Sequence, residues 1–164
     1  MPTAQEQIIK EYPKNLVLKS TEDHAKVLSK ILRQADLREI HALGISNPFK
    51  ALCKGIHNEC YTVWNKELDK PIAMFGVGPS VYEEHGCVWM MGSDHLVKIR
   101  NEFLRHCREW LDVLLSKYSM VHNIIDTRNK VHIKWLEHLG FTFGHDFLFN
   151  GYNFRQFWKV RENV

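Results

Sequence analysis

The run over residues 93–119, SDHLVKIRNEFLRHCREWLDVLLSKYS, constrains the fold more than any other stretch. Leu96, Ile99, Phe103, Cys107, Trp110, Leu114 and Tyr118 recur at spacings of three and four, which makes one face of a helix apolar and leaves the other charged. At about 1.5 Å per residue such a helix reaches roughly 35 Å, enough to cross a domain. Ser93 or Asp94 is placed to cap it. It follows an apolar strand-like run, GCVWMMG (86–92), and precedes another, MVHNIID (120–126). A strand, a long helix and a second strand imply a parallel crossover with the helix packed on the sheet.

The segments around this unit supply the rest of a mixed sheet. A polar lead-in over residues 1–13 ends near Pro13, and NLVLKS (15–20) reads as a short strand. Ser20 or Thr21 then caps a helix in STEDHAKVLSKILRQAD, whose apolar stripe is Val27, Leu28, Ile31 and Leu32; REIHALG continues the helical character to Gly44. A further helix starts in NPFKALCKGIHNE, with Asn47 as cap and Pro48 in the first turn. CYTVWNKE, PIAMFGVGP and GCVWMMG follow as three strands separated by polar turns, the pattern of an antiparallel meander.

After the 120–126 strand, DTRNKVHIKWLEHLGFTF gives a short helix that begins at Asn129, carries Val131, Trp135, Leu136 and Leu139 at helical spacing, and stops at Gly140. Glycine at that position permits the left-handed turn into Phe141. TFGHDFLFN and YNFRQFWKV form a closing hairpin around Gly151. The whole chain, 1–164, is expected to be one α/β (α+β) domain.

Composition narrows the function classes. A formal charge of +3, with Lys and Arg scattered rather than clustered, argues against a nucleic-acid protein. Cys53, Cys60, Cys87 and Cys107 form no C-x-x-C pair and sit in apolar or helical runs, which suits a reducing compartment. The ten histidines contain no H-x-x-x-H spacing, so no metal centre is expected. The G-x-G of FGVGP lies inside a strand before a proline and reads as a bulge rather than a nucleotide loop. The N-terminus lacks the apolar core of a signal peptide, and no apolar run is long enough for a membrane span. The aromatic tail FLFNGYNFRQFWKV is richer than a small core needs, which points to a surface for a partner or a second copy of the chain.

The order strand, two helices, three strands, long helix, strand, helix, two strands resembles the GNAT acyltransferase fold. The resemblance implies a mixed, mostly antiparallel sheet of six to seven strands flanked by about four helices. In that family the helix before the sixth strand carries N-x-x-A-x-x-L-Y followed by Gly-Phe, and Asn129, His132, Trp135, Leu136, Gly140 and Phe141 hold the matching positions. The resemblance also implies acetyl-CoA as cofactor if the protein is active, and none otherwise. The cofactor-binding candidates are Met90, Met91 and Gly92 in a bulged strand that opens the cleft, Lys98 and Arg100 beside the phosphates, and Asn129. The family's pyrophosphate is held on backbone amides of a glycine-rich turn at the start of the long helix. Here that turn, GSDHLVKIRNEF, has Gly92 before it but none within it, and Asp94 adds an anion.

Catalysis in the family commonly uses a tyrosine as proton donor, where this chain has Leu136. His132 on the same helical face is the candidate substitute. Glu39, in the charged segment ADLREI near the family's acceptor region, is the candidate base. A narrower resemblance, carried by LRQADLREIHALG, NPFKALCKGI, PIAMFGV, VWMMGSD and IIDTRNKVHIKWLEHLGFTF, is to GNAT-like proteins of tailed phages, including the internal virion protein family of short-tailed phages. It implies a catalytically degenerate protein that contacts other phage virion proteins or a host protein during virion assembly or genome ejection. Such a protein is expected in the cytoplasm of the infected host cell or in the virion. The alternative is an active acyl-CoA-dependent N-acetyltransferase modifying a protein or small-molecule amine.

Overall fold

The lead-in read as ending at Pro13 already contains a strand. In the computed structural model, which describes residues 2–3 and 5–162, Ile8–Glu11 (β1) pairs antiparallel with Asn15–Lys19 (β2). All four residues of β1 are exposed, so no alternation of buried and exposed positions marks it; backbone pairing alone makes it a strand.

Thr21, rather than Ser20, caps the next helix, Glu22–Ser29 (α1): its hydroxyl accepts the His24 N–H, and His24 Nδ1 accepts the Thr21 N–H. Ser20 is buried and shares a 2.7 Å hydrogen bond with Thr62 instead. The helix does not run on as read. It breaks at Lys30 and restarts as Gln34–Ala42 (α2), because Leu32 and Arg33 leave the helical path to bridge to the segment after the fifth strand. Asn47 caps Pro48–Ile56 (α3) through the Lys50 N–H, as the sequence implies.

Glu59–Asn65 (β3), Lys70–Pro79 (β4) and His85–Gly92 (β5) form the expected antiparallel meander. The long helix is interrupted: His95–Lys98 (α4) is a separate turn, and Arg100–Leu115 (α5) starts afresh at Ile99. Leu96, fully buried, is the anchor of that turn. It packs so tightly on Gly92 that an added Cβ there would sit 2.7 Å from a Leu96 methyl.

Met120–Asp126 (β6) then pairs parallel with β5, as the crossover rule requires. Lys130–His138 (α6) ends at Gly140, where φ is +84° and the Phe141 N–H closes on the Leu136 carbonyl. Thr142–Phe149 (β7) and Tyr152–Val160 (β8) complete the hairpin.

Among the described residues there are thus eight strands and six helices, slightly more of each than expected, in one mixed and mostly antiparallel sheet of order β1-β2-β3-β4-β5-β6-β8-β7. Val63, Phe75, Val77, Val88, Leu111 and Leu114 build the core beneath α5, continued by Trp135 and Phe157. Ala25, Leu28, Leu52, Cys60 and Met74 build the core on the other face, under α1 and α3.

Two expected bulges are absent. Strands β4 and β5 stay in register from Ala73↔Gly92 to Pro79↔Gly86, so neither FGVGP nor Met90–Met91–Gly92 bulges. Gly76 has another use: a Cβ there would lie 2.3 Å from the Glu59 carbonyl, so the glycine admits the neighbouring backbone of β3. No described helix is long and apolar enough to cross a membrane.

Candidate functional site

Strands β5 and β6 pair only across His85–Cys87 and Met120–His122, although both continue well beyond. The sheet therefore opens there without any bulge. Past the last pair, the edge of β5 is met by side chains. Asn123 Nδ2 donates to the Val88 carbonyl at 2.8 Å, while its Oδ1 accepts the Ile124 N–H at 2.7 Å. At the end of β5 the Gly92 N–H donates to Asp36 Oδ2 at 3.0 Å, and the Gly92 carbonyl accepts the Arg33 N–H at 2.9 Å. Successive strand residues point their backbone groups to opposite sides, so between these two points only Met90 turns its N–H and C=O into the same gap.

Asp36 is the hub of this closure. It is 1% exposed, and besides Gly92 it accepts from Asn129 Nδ2 at 3.2 Å. Arg33 Nη1 stands 3.8 Å and His132 Nδ1 3.6 Å from the same carboxylate. Asn129 Oδ1 in turn receives Arg33 Nη2 at 3.5 Å. Asn129 thus begins α6 without capping it; its amide is spent joining α6 to α2.

A cavity of about 210 Å³ lies between this gap and α5. Its walls are mostly apolar, with Met90, Phe103, Trp110, Trp135 and Leu136 prominent. Glu39 and His132 bring ionisable groups to it, and both are held neutral. Burial, reinforced by Asp36 and Asp126, pushes the Glu39 carboxyl up to about 8 although it accepts the Asp126 N–H at 2.7 Å. Burial lowers His132 to about 4, outweighing the attraction of Asp36. His132 Nε2 is buried with no hydrogen-bond partner among the described residues.

The structure thus brings Glu39, His132, Met90 and Met91 to one cavity, and joins Gly92 to Asn129 through Asp36. Lys98 and Arg100 are exposed and do not line the cavity. ADLREI lies in α2, and only part of it is a solvated charged face: Arg38 is exposed, whereas Asp36 is buried and Glu39 is partly so. The contributions of Arg33, Asp36 and Asn123 were missed in the sequence. The one available signal was a lone asparagine in the apolar strand MVHNIID.

The turn that a pyrophosphate would need does not fit one. Besides Gly92, the Ser93 N–H is taken by the Ile72 carbonyl at 2.8 Å. The Leu96, Val97 and Ile99 amides close on Ser93, Asp94 and His95. The Leu96 side chain fills the space beside Gly92. An anion site at a helix start requires free amides and close backbone approach; here the Gly92, Ser93, Leu96, Val97 and Ile99 amides are used internally, and Leu96 blocks the approach.

Comparison with known proteins agrees with this topology. The chain superposes on a GNAT-family acetyltransferase from Bacillus anthracis with a TM-score of 0.69 and 11% identity, covering 94% of this chain and 98% of that one. A GCN5-related N-acetyltransferase from Kribbella flavida gives 0.67 at 11% identity, with 90% and 98% covered. A ribosomal-protein-S5-alanine acetyltransferase from Vibrio fischeri gives 0.64 at 15% identity, with 94% and 97% covered. At these identities the likeness establishes the fold. No curated protein matches significantly. A family model described as bacteriophage T7, probable scaffold protein Gp13, matches residues 72–148, from β4 to β7. The chain therefore has the fold of the GNAT acetyltransferases, and its residues 72–148 match the family model of the T7 probable scaffold protein Gp13.

Proposed function

We propose that the protein acts by protein contacts in phage virion assembly or genome ejection, on a GNAT scaffold that no longer transfers acyl groups. The observation that carries this reading is that the protein's own groups take both ends of the β5 gap: Asp36 on the Gly92 N–H and Asn123 on the Val88 carbonyl. Leu136, where the resemblance places a proton-donating tyrosine, supports it from the chemical side. The probable scaffold role described for the matching family supports virion proteins as partners, with a host protein as the other candidate, and a place in or around the particle. The edge strand β7 offers a contact surface, with Leu148 77% and Phe149 40% exposed.

A retained N-acetyltransferase activity toward a protein or small-molecule amine is favoured by one observation. Glu39 and His132 share a cavity, and a carboxyl titrating at about 8 is suited to general-base work. Complementation separates the two readings. In a phage deleted for this chain, Glu39→Gln should restore particle assembly or ejection as fully as the unaltered protein. A folded Glu39→Gln protein that fails to complement would support the enzyme.

A further inference from the structure

A second concave site lies on the opposite side of α2 from the cavity. It is a cleft of about 190 Å³ lined by Gln34, Leu37, Arg38 and His41 from α2, Arg128 from the turn before α6, and Tyr152 at the start of β8. It shares no lining residue with the cavity described above, which takes Glu39 from α2 and Leu43 just after it.

The charges here are unevenly matched. Asp126, 2% exposed at its side chain, is bound by Arg128 through Nε at 3.0 Å and Nη2 at 2.6 Å, and by the Arg128 N–H at 2.9 Å. That pair fixes the Arg128 guanidinium 4.9 Å above the Tyr152 ring, and His41 meets the same ring edge-on at 6.3 Å. Arg38 has no hydrogen bond or ion pair among the described residues; it acts on Asp126 only at a distance. Arg38 and Arg128 against Asp126 leave one net positive charge, and among the described residues no acidic side chain lines the cleft.

We propose that this cleft is a carboxylate-binding site, in which the Arg38 fork takes the ligand's two oxygens. A planar, singly charged carboxylate matches both the guanidinium geometry and the one uncompensated charge. A phosphate dianion would exceed that charge. Leu37 and the Tyr152 ring give an apolar wall for the methylenes of a glutamate-like stem. The site stands whether or not the scaffold retains acyl transfer.

The test is a nuclear magnetic resonance titration of the full chain with glutarate, with a capped Ala-Glu-Glu-Ala peptide, and with inorganic phosphate. Saturable shifts confined to residues 34–41, Arg128 and Tyr152 are expected with the carboxylates. Arg38→Ala should weaken them about tenfold or more, whereas Arg105→Ala, an exposed arginine on α5, should not change them. Tighter binding of the peptide identifies a protein-borne carboxylate, and tighter binding of glutarate a free acid. Absence of saturable shifts at tens of millimolar carboxylate would overturn the proposal. So would shifts that survive Arg38→Ala, or a preference for phosphate. An unchanged urea midpoint for Arg38→Ala keeps a loss of binding from being a loss of fold.

Discussion

The Asp36 carboxylate accepts the Gly92 N–H at 3.0 Å, fastening α2 to the last residue of β5. The same carboxylate holds Asn129 and faces Arg33 and His132, so one buried side chain connects three elements across the open part of the sheet. Asp36→Ala would leave the Gly92 amide and the Asn129 amide without their acceptor and the buried Arg33 guanidinium without its counter-charge. The expected cost is about 3 kcal/mol, read from urea unfolding.

Asn123 does for the middle of the gap what Asp36 does for its end. Asn123→Ala leaves the Val88 carbonyl unpaired in a partly buried setting and should destabilise by about 1 kcal/mol. Hydrogen exchange at β5 and β6 is the matching local measurement, with faster exchange expected along Val88 to Met90.

Glu39 makes stability depend on pH in a definite direction. Its folded carboxyl binds a proton up to about 8, against an ordinary value of 4.5, so its contribution is complete below 4.5 and is lost as pH rises toward 8. His132, lowered from 6.5 to about 4, acts oppositely: its contribution is present above 6.5 and is lost as pH falls through about 4. The two oppose each other between about 4.5 and 6.5, and above 6.5 Glu39 acts alone. Stability should therefore fall by about 1–2 kcal/mol between pH 6.5 and 8. Glu39→Gln should flatten that fall in urea midpoints measured across the range.

Two glycines in one strand should respond differently to the same change. Gly76→Ala meets the Glu59 backbone carbonyl, which cannot move without breaking the β3–β4 ladder, and should cost about 2 kcal/mol or more. Gly78→Ala meets only the side chain of Asn58, an exposed residue free to rotate away, and should cost well under half as much. Paired thermal melts of the two variants check the difference.

Those contrasts mark what could be read before the structure. Local periodicity revealed the strand–helix–strand crossover around α5, the meander of β3 to β5 and the Gly140 stop, because each depends on neighbours within a few residues. Strand β1 escaped because none of its residues is buried. Asp36 reads only as part of a charged segment because its partners Gly92 and Asn129 lie 56 and 93 residues away. The broken start of the long helix likewise follows from Leu96 seating against Gly92, a packing relation that spacing alone does not encode. Glu39 and His132 were legible as candidates, but their common cavity and neutral state come from burial set by the whole fold.

Acetyl-CoA titrated into the full chain by isothermal calorimetry tests the closed-gap account most directly. With both ends of the β5 gap and the Gly92, Ser93, Leu96, Val97 and Ile99 amides already taken, no saturable heat is expected at millimolar ligand. Micromolar binding that disappears when Lys98 and Arg100 become alanine would contradict it.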